Sequence, residues 1–382
     1  MKRLLIVVML AGSPIAAQSS QFGLRGLGLP GRGLSVASLG TGGSMGLFDG
    51  RSSRNPAAPG LLGSASFVFT STQAWRTSEN PAGEGSTREH RFPHLLVGGP
   101  IPGVPLAAAL SYSSYAARDH IFAAAGVDSP RGTPVDVIDS LGSTGGINDL
   151  RLAVAWTPAE HLVVGAGMHF LTGSNRLFSN RSWADTSYLP LRQEAEVTYT
   201  GFGVSAGLIY SPSSRIYLAG TIRQDGSLDV RRDSVPAGEV DLPLTLSVAG
   251  RLRVTTGMAL SAQFTTQNWS VANRGIVESG GVGARNTIEV AAGLELLGNV
   301  RRPDHLPLRV GVRHAQLPFM LGEGSQPREL GVSLGTGLRF ARDQGGIDLA
   351  LERIQRSQGS LYSESAWQLS VGVSLRGIAS GF

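Results

Sequence analysis

From about residue 61 onward the apolar side chains recur at every second position, and this two-residue period constrains the chain more than any other feature. A strand alternates its side chains between two faces, so the pattern describes strands with one apolar and one polar face. Trp367, Leu369, Val371, Val373 and Leu375 alternate with Gln368, Ser370, Gly372, Ser374 and Arg376. Leu242, Leu244, Leu246, Val248, Leu252 and Val254 likewise oppose Thr245, Ser247, Arg251 and Arg253, while Ile288, Val290, Leu294 and Leu296 oppose Glu289 and Glu295.

Carried along the chain, this template predicts about fourteen strands, near 61–76, 89–99, 104–116, 147–157, 161–172, 193–211, 214–232, 240–254, 257–270, 286–297, 306–318, 328–340, 346–357 and 365–376. The links alternate in length. They are short at 100–103, 158–160, 212–213, 255–256 and 341–345, and long at 117–146, 173–192 and 271–285, with 298–305 an overlong member of the short set. An even number of strands, tight turns at one rim and longer loops at the other describe an all-β fold, a transmembrane antiparallel β-barrel. Closing the ring satisfies every backbone hydrogen bond inside lipid, which an open sheet cannot do. Beyond the N-terminus no apolar run approaches the roughly 20 residues of a membrane helix. Charged residues make up only 16% of the chain, too few for the water-facing strands of a soluble sandwich or propeller.

The N-terminus reads as a secretory signal over 1–17. Met1-Lys2-Arg3 precedes the apolar Leu4-Leu5-Ile6-Val7-Val8-Met9-Leu10, and cleavage is expected after Ala17. Export and a barrel together place the protein in the bacterial outer membrane, surrounded by lipid and lipopolysaccharide. There is no cysteine, which excludes a lipoprotein anchor, a disulfide scaffold and thiolate metal sites. The net charge of +5 is spread over scattered arginines with no basic run, so nucleic acid is not expected as a partner. The terminal Phe382 resembles the C-terminal signal that the barrel-assembly machinery reads during biogenesis.

Residues 18–60 carry Pro30, Pro56 and Pro59, are rich in Gly and Ser, and show no long alternating stretch. Within them Gly33-Leu34-Ser35-Val36-Ala37 leads through Gly42-Gly43-Ser44 and Leu47-Phe48-Asp49-Gly50 to Asn55-Pro56-Ala57. This resembles the start of the FadL-type outer-membrane transport family. Leu308-Arg309-Val310-Gly311-Val312-Arg313, Leu317-Pro318-Phe319, Leu334-Gly335-Thr336-Gly337-Leu338 and Leu349-Ala350-Leu351-Glu352 are similar to its C-terminal half. The resemblance implies that residues 18–60 form a hatch inside a barrel of 61–382, with Asp49, Asn55, Pro56 and Ala57 in gating positions. It also implies passive uptake of small hydrophobic compounds such as fatty acids by a monomer. A protein-binding barrel resembling the PorV-type shuttles of type IX secretion and a hydrated porin are the alternatives. A transporter needs an apolar pocket, for which Leu177, Phe178, Trp183, Tyr188 and Leu189 in the link 173–192 are candidates.

Alternation points Arg251, Arg253, Glu289, Glu295, Arg309, Arg313, Arg339, Asp348, Glu352 and Arg376 into the lumen, where opposite charges are expected to pair. Trp156, Trp269, Phe340 and Trp367 fall near strand ends, as an outward interfacial girdle requires. The run Gly203-Val204-Ser205-Ala206-Gly207 matches a hydrolase nucleophile pattern, but no helix follows it, and glycine alternation on a strand explains it. The run Gly26-Leu27-Gly28-Leu29-Pro30-Gly31 lacks the strand and helix of a dinucleotide site. His90 and His94 alone share a helical spacing, and Pro93 interrupts it, so no metal, cofactor or enzymatic activity is expected.

Overall fold

The computed structural model describes residues 20–81, 83–278, 283–298, 306–322, 324–341 and 344–377. The signal segment with its cleavage point, most of the link 298–305 and the terminal Phe382 lie outside these residues. The wall consists of β1 (Ser66–Asn80), β2 (Gly83–Pro100), β3 (Leu106–Ala117), β4 (Val135–Ala159), β5 (Leu162–Trp183), β6 (Leu191–Tyr210) and β7 (Ile216–Arg232). It continues through β8 (Leu244–Thr255), β9 (Met258–Gln267), β10 (Thr287–Leu296), β11 (Leu308–Gln316), β12 (Arg328–Phe340), β13 (Gly345–Gln358) and β14 (Tyr362–Arg376). Each wall strand pairs antiparallel with the next, and β14 pairs with β1, so the 14-stranded ring is closed.

The sequence alternation becomes the two faces of this wall. Along β12, Leu330, Val332, Leu334, Leu338 and Phe340 are exposed, whereas Glu329, Ser333 and Arg339 are buried. Apolar side chains outside and polar ones inside invert a soluble protein and fit a wall that meets hydrocarbon. Trp156, Phe340 and Trp367 stand on the outer face as expected. Trp269 does not. It lies in a short turn after β9, is 1% exposed, and meets Phe319 edge-on inside the barrel at 5.2 Å. The chain leaves β9 by turning inward over the lumen, so a position that reads as a strand end faces the core. Leu27, Ile147, Leu171, Leu228, Ile276 and Phe319 complete that apolar layer.

The strands depart from the sequence expectation mainly at one rim. Residues 117–146 and 173–192, expected as long links, are largely strand: β4 begins at Val135, β5 runs to Trp183, and an extra strand, His120–Asp128, pairs with the outer part of β4. Val235–Asp241 pairs similarly with β7. The 25 residues of β4 rise about 3.3 Å each, far more than the roughly ten tilted residues that cross a membrane, so its outer half projects beyond the apolar band. Water faces both sides there and the apolar alternation fades, which is why the pattern missed these extensions.

Candidate functional site

The N-terminal segment runs inside the wall from the outer end to the opposite rim. Ser20 Oγ donates to the Glu364 carboxylate at 2.8 Å, and Gln21 Nε2 donates to Ser363 O at 2.6 Å, near the outer end of β14. The short helix Val36–Leu39, capped by the Ser35 hydroxyl, packs against β12, β13 and β14. Thr41 lies against Gly311 of β11, and Ser44 Oγ is 2.7 Å from Ser261 Oγ of β9. Contact with strands around the whole circumference places the segment in the lumen. Asp49 is its hub, accepting from Ser35, from Ser38 at 2.8 Å and from the Arg51 backbone N–H at 3.0 Å. Burial alone would raise its carboxyl, but Arg51 and these donors hold it well below the ordinary carboxylate range.

Asn55, Pro56 and Ala57 form an elbow seated on the wall. Asn55 Nδ2 donates to Leu47 O at 2.9 Å and to Leu208 O of β6 at 3.4 Å, while Asn55 Oδ1 accepts from Ala57 N at 2.9 Å. A Cβ on Gly165 of β5 would lie 2.4 Å from Pro56 C and O, and one on Gly207 of β6 would lie 2.0 Å from Asn55 Oδ1. Only glycine lets the elbow approach so closely. One end of the 203–207 run therefore makes room for the elbow, and Gly203 makes room for Asp225. Ser205 Oγ does lie 2.9 Å from His169 Nε2, whose Nδ1 lies 2.9 Å from Asp149. That connectivity occurs in hydrolases. Here, however, Ser205 is mid-strand, paired with Gly167 and Arg223, so adjacent amides serve the ladder instead of an oxyanion. Asp149 is also bridged by Arg223 at 2.6 Å.

Of the charges expected inside, Arg251 and Arg309 both reach Glu295 at 2.9 Å, and Arg309 and Arg339 reach Asp348 at 3.3 and 3.2 Å. Arg313 bridges Glu289 and Glu329. The N-terminal segment joins this network through Arg32–Glu352 at 2.7 Å, Arg51–Asp348 at 3.3 Å and Arg54–Glu289 at 3.7 Å. Arg253 is set apart, exposed at the turn rim with its guanidinium over the Tyr217 ring, and Arg376 is half-buried at the end of β14.

Between the segment and the wall lies a cavity of about 190 Å³. Leu29, Pro30, Leu34, Leu39, Leu317 and Ile354 supply apolar lining, and His94, Thr72 and several paired arginines supply polar lining. Leu177, Phe178, Trp183, Tyr188 and Leu189 are elsewhere: the first three lie on the outer extension of β5, the last two in the link after it, with Leu189 88% exposed.

The cavity abuts a seam. β2 pairs with β3 only over 94–100, and above His94 its outer half pairs with β1 alone. Pro93 lacks an N–H for the ladder, and the β1–β2 register shifts beside it, as expected where pairing ends. The edge that β2 leaves on β3 is taken by Leu29 and Pro30, which pair with Ala117 and Ala116, because β4 holds the other edge. An Arg91–Asp119 ion pair spans the gap. Pro93, which interrupts the His90–His94 spacing, is the sequence signal for this seam. On the strand, His90 is exposed and His94 buried.

The closed wall, its outward apolar band and the filled lumen define a transmembrane β-barrel with an internal N-terminal segment. Its fold is that of the FadL-type barrels. A FadL homologue of Pseudomonas aeruginosa matches with a TM-score of 0.63 at 14% identity, over 91% of this chain and 99% of that one. The P. putida toluene transporter TodX gives 0.57 at 13%, over 91% and 99%, and the Ralstonia pickettii toluene transporter TbuX 0.55 at 15%, over 90% and 98%. At such identities the likeness is one of fold. No family profile matches the sequence, and no curated protein does.

Proposed function

We propose that the protein is a monomeric outer-membrane channel that passes small hydrophobic compounds passively, with residues 18–60 as its hatch and the β2–β3 seam as a lateral exit. The carrying observation is the position of the cavity: it lies inside the wall, beside the one stretch where β2 and β3 do not pair. A wall paired along its whole height would force an apolar compound through water, whereas the unpaired stretch at the cavity lets it pass sideways into lipid. Leu29 and Pro30 close the inner side of that gap, so seating of the hatch and closure of the seam are linked. Two structural neighbours are described as toluene transporters, which supports the same class of cargo. A cavity of about 190 Å³ suits a single ring or a short chain, since about 150 Å³ holds benzene. Fatty acids would enter as short chains or by their ends. Catalysis is no part of this reading, and lipopolysaccharide and the barrel-assembly machinery are its expected partners in the membrane and during biogenesis.

Because the chain has no cysteine, Arg91→Cys with Asp119→Cys can be joined across the seam by a bis-maleimide. In proteoliposomes the joined protein should lose uptake of a monocyclic hydrocarbon, while the unjoined double variant keeps it. Unchanged uptake after joining would exclude the lateral route.

A further inference from the structure

The side chain that stands out in the cavity is His94. It is 1% exposed and lines the cavity, yet neither ring nitrogen has a hydrogen-bond partner among the described residues. Its neighbour across the β1–β2 ladder, Thr70, is fully buried with its hydroxyl also unpartnered. Buried polar groups in folded proteins are nearly always satisfied, by protein or by water, so the unmet imidazole at the cavity, with the unmet Thr70 hydroxyl opposite it on the ladder, invites a hydrogen-bonding ligand atom. A neutral imidazole offers one donor and one acceptor, which a hydroxyl can meet together.

The charges at the cavity argue in the same direction. Its six lining arginines, among them Arg54, Arg91 and Arg313, each have a carboxylate partner. With these cations already neutralised, no free positive charge is left among the described lining residues to draw an anionic head group, and the apolar lining takes the remainder of the ligand.

We infer that the cavity selects uncharged compounds that join an apolar body to a hydroxyl, such as monocyclic phenols, and that His94 is the residue that reads the hydroxyl. This rests on the proposed channel function and narrows its cargo. A site built to hydrogen-bond a hydroxyl discriminates against the analogue that lacks it, because the site's own polar groups then stay unmet.

The test compares p-cresol with toluene as ligands of the full chain refolded in detergent, by titration calorimetry in a sealed cell. Using the ratio of the two dissociation constants cancels the general difference in their hydration between protein variants. His94→Leu should shift that ratio about tenfold against p-cresol while toluene still binds, and His94→Gln, which keeps a donor and an acceptor, should restore most of the preference. Heat-modifiable migration on gels verifies that each variant is folded. If both compounds bind and His94→Leu leaves the ratio unchanged, the assignment of His94 is overturned and the channel reading stands. If neither compound binds the wild-type chain, the cavity is not a cargo site and both fall.

Discussion

The elbow sits directly on Gly165, and adding one carbon there tests whether the hatch is held by shape. In Gly165→Ala the new Cβ would sit 2.4 Å from Pro56 C and O and 2.5 Å from Ala57 N. Ordinary carbon contacts lie near 3.5–4.0 Å, so the elbow must retreat by about 1 Å. The wall cannot easily give way, because Gly165 is fixed in the ladder between Ala155 and Gly207. Retreat also strains the Asn55 bond to Leu208 O, the one that ties the elbow to β6. Overpacking of this kind costs about 1–3 kcal/mol, which corresponds to roughly a 5- to 150-fold shift toward the unseated hatch. The assay is open probability in planar bilayers beside Gly220→Ala on β7, whose new carbon has nothing nearer than Ser247 O at 3.9 Å. Gly165→Ala should open many times more often than Gly220→Ala or the wild-type chain. If it is as silent as Gly220→Ala, the elbow does not hold the gate.

Two further outcomes follow from the same contacts. Removing residues 18–54 takes away the segment that reaches β9 through β14, so the truncated barrel should conduct steadily where the intact one is silent; steady conductance by the intact chain would instead indicate a water-filled porin. Asp49, which faces Arg51 and through it Asp348, has its folded-state pKa held well below the ordinary value. Its contribution to seating is therefore present above the unfolded carboxylate pKa of about 3.9 and is lost as pH falls below it. Openings should rise in acid, and Asp49→Asn should show raised opening at neutral pH with a weakened acid response; a variant with the wild-type profile would remove Asp49 from the gate.

What the sequence determined by itself was the wall. An alternation of period two fixes which side chains face out, and lipid on one side with charges on the other leaves a closed barrel as the solution, so β8, β10, β12 and β14 were legible to within a few residues. Most of the inward charges follow from parity in the same way, but Arg253, exposed at the turn rim, and Arg376, half-buried at a strand end, do not. Where both faces meet water, as in the outer halves of β4 and β5, parity carries no signal and the strands were read as links. The partners of those charges, the glycine seat under Asn55 and Pro56, the turn that buries Trp269, and the cavity with His94 were decided only by the tertiary structure. Each depends on strands far apart in sequence arriving at one point of the lumen. That meeting is set by ring closure and register, neither of which a local pattern records.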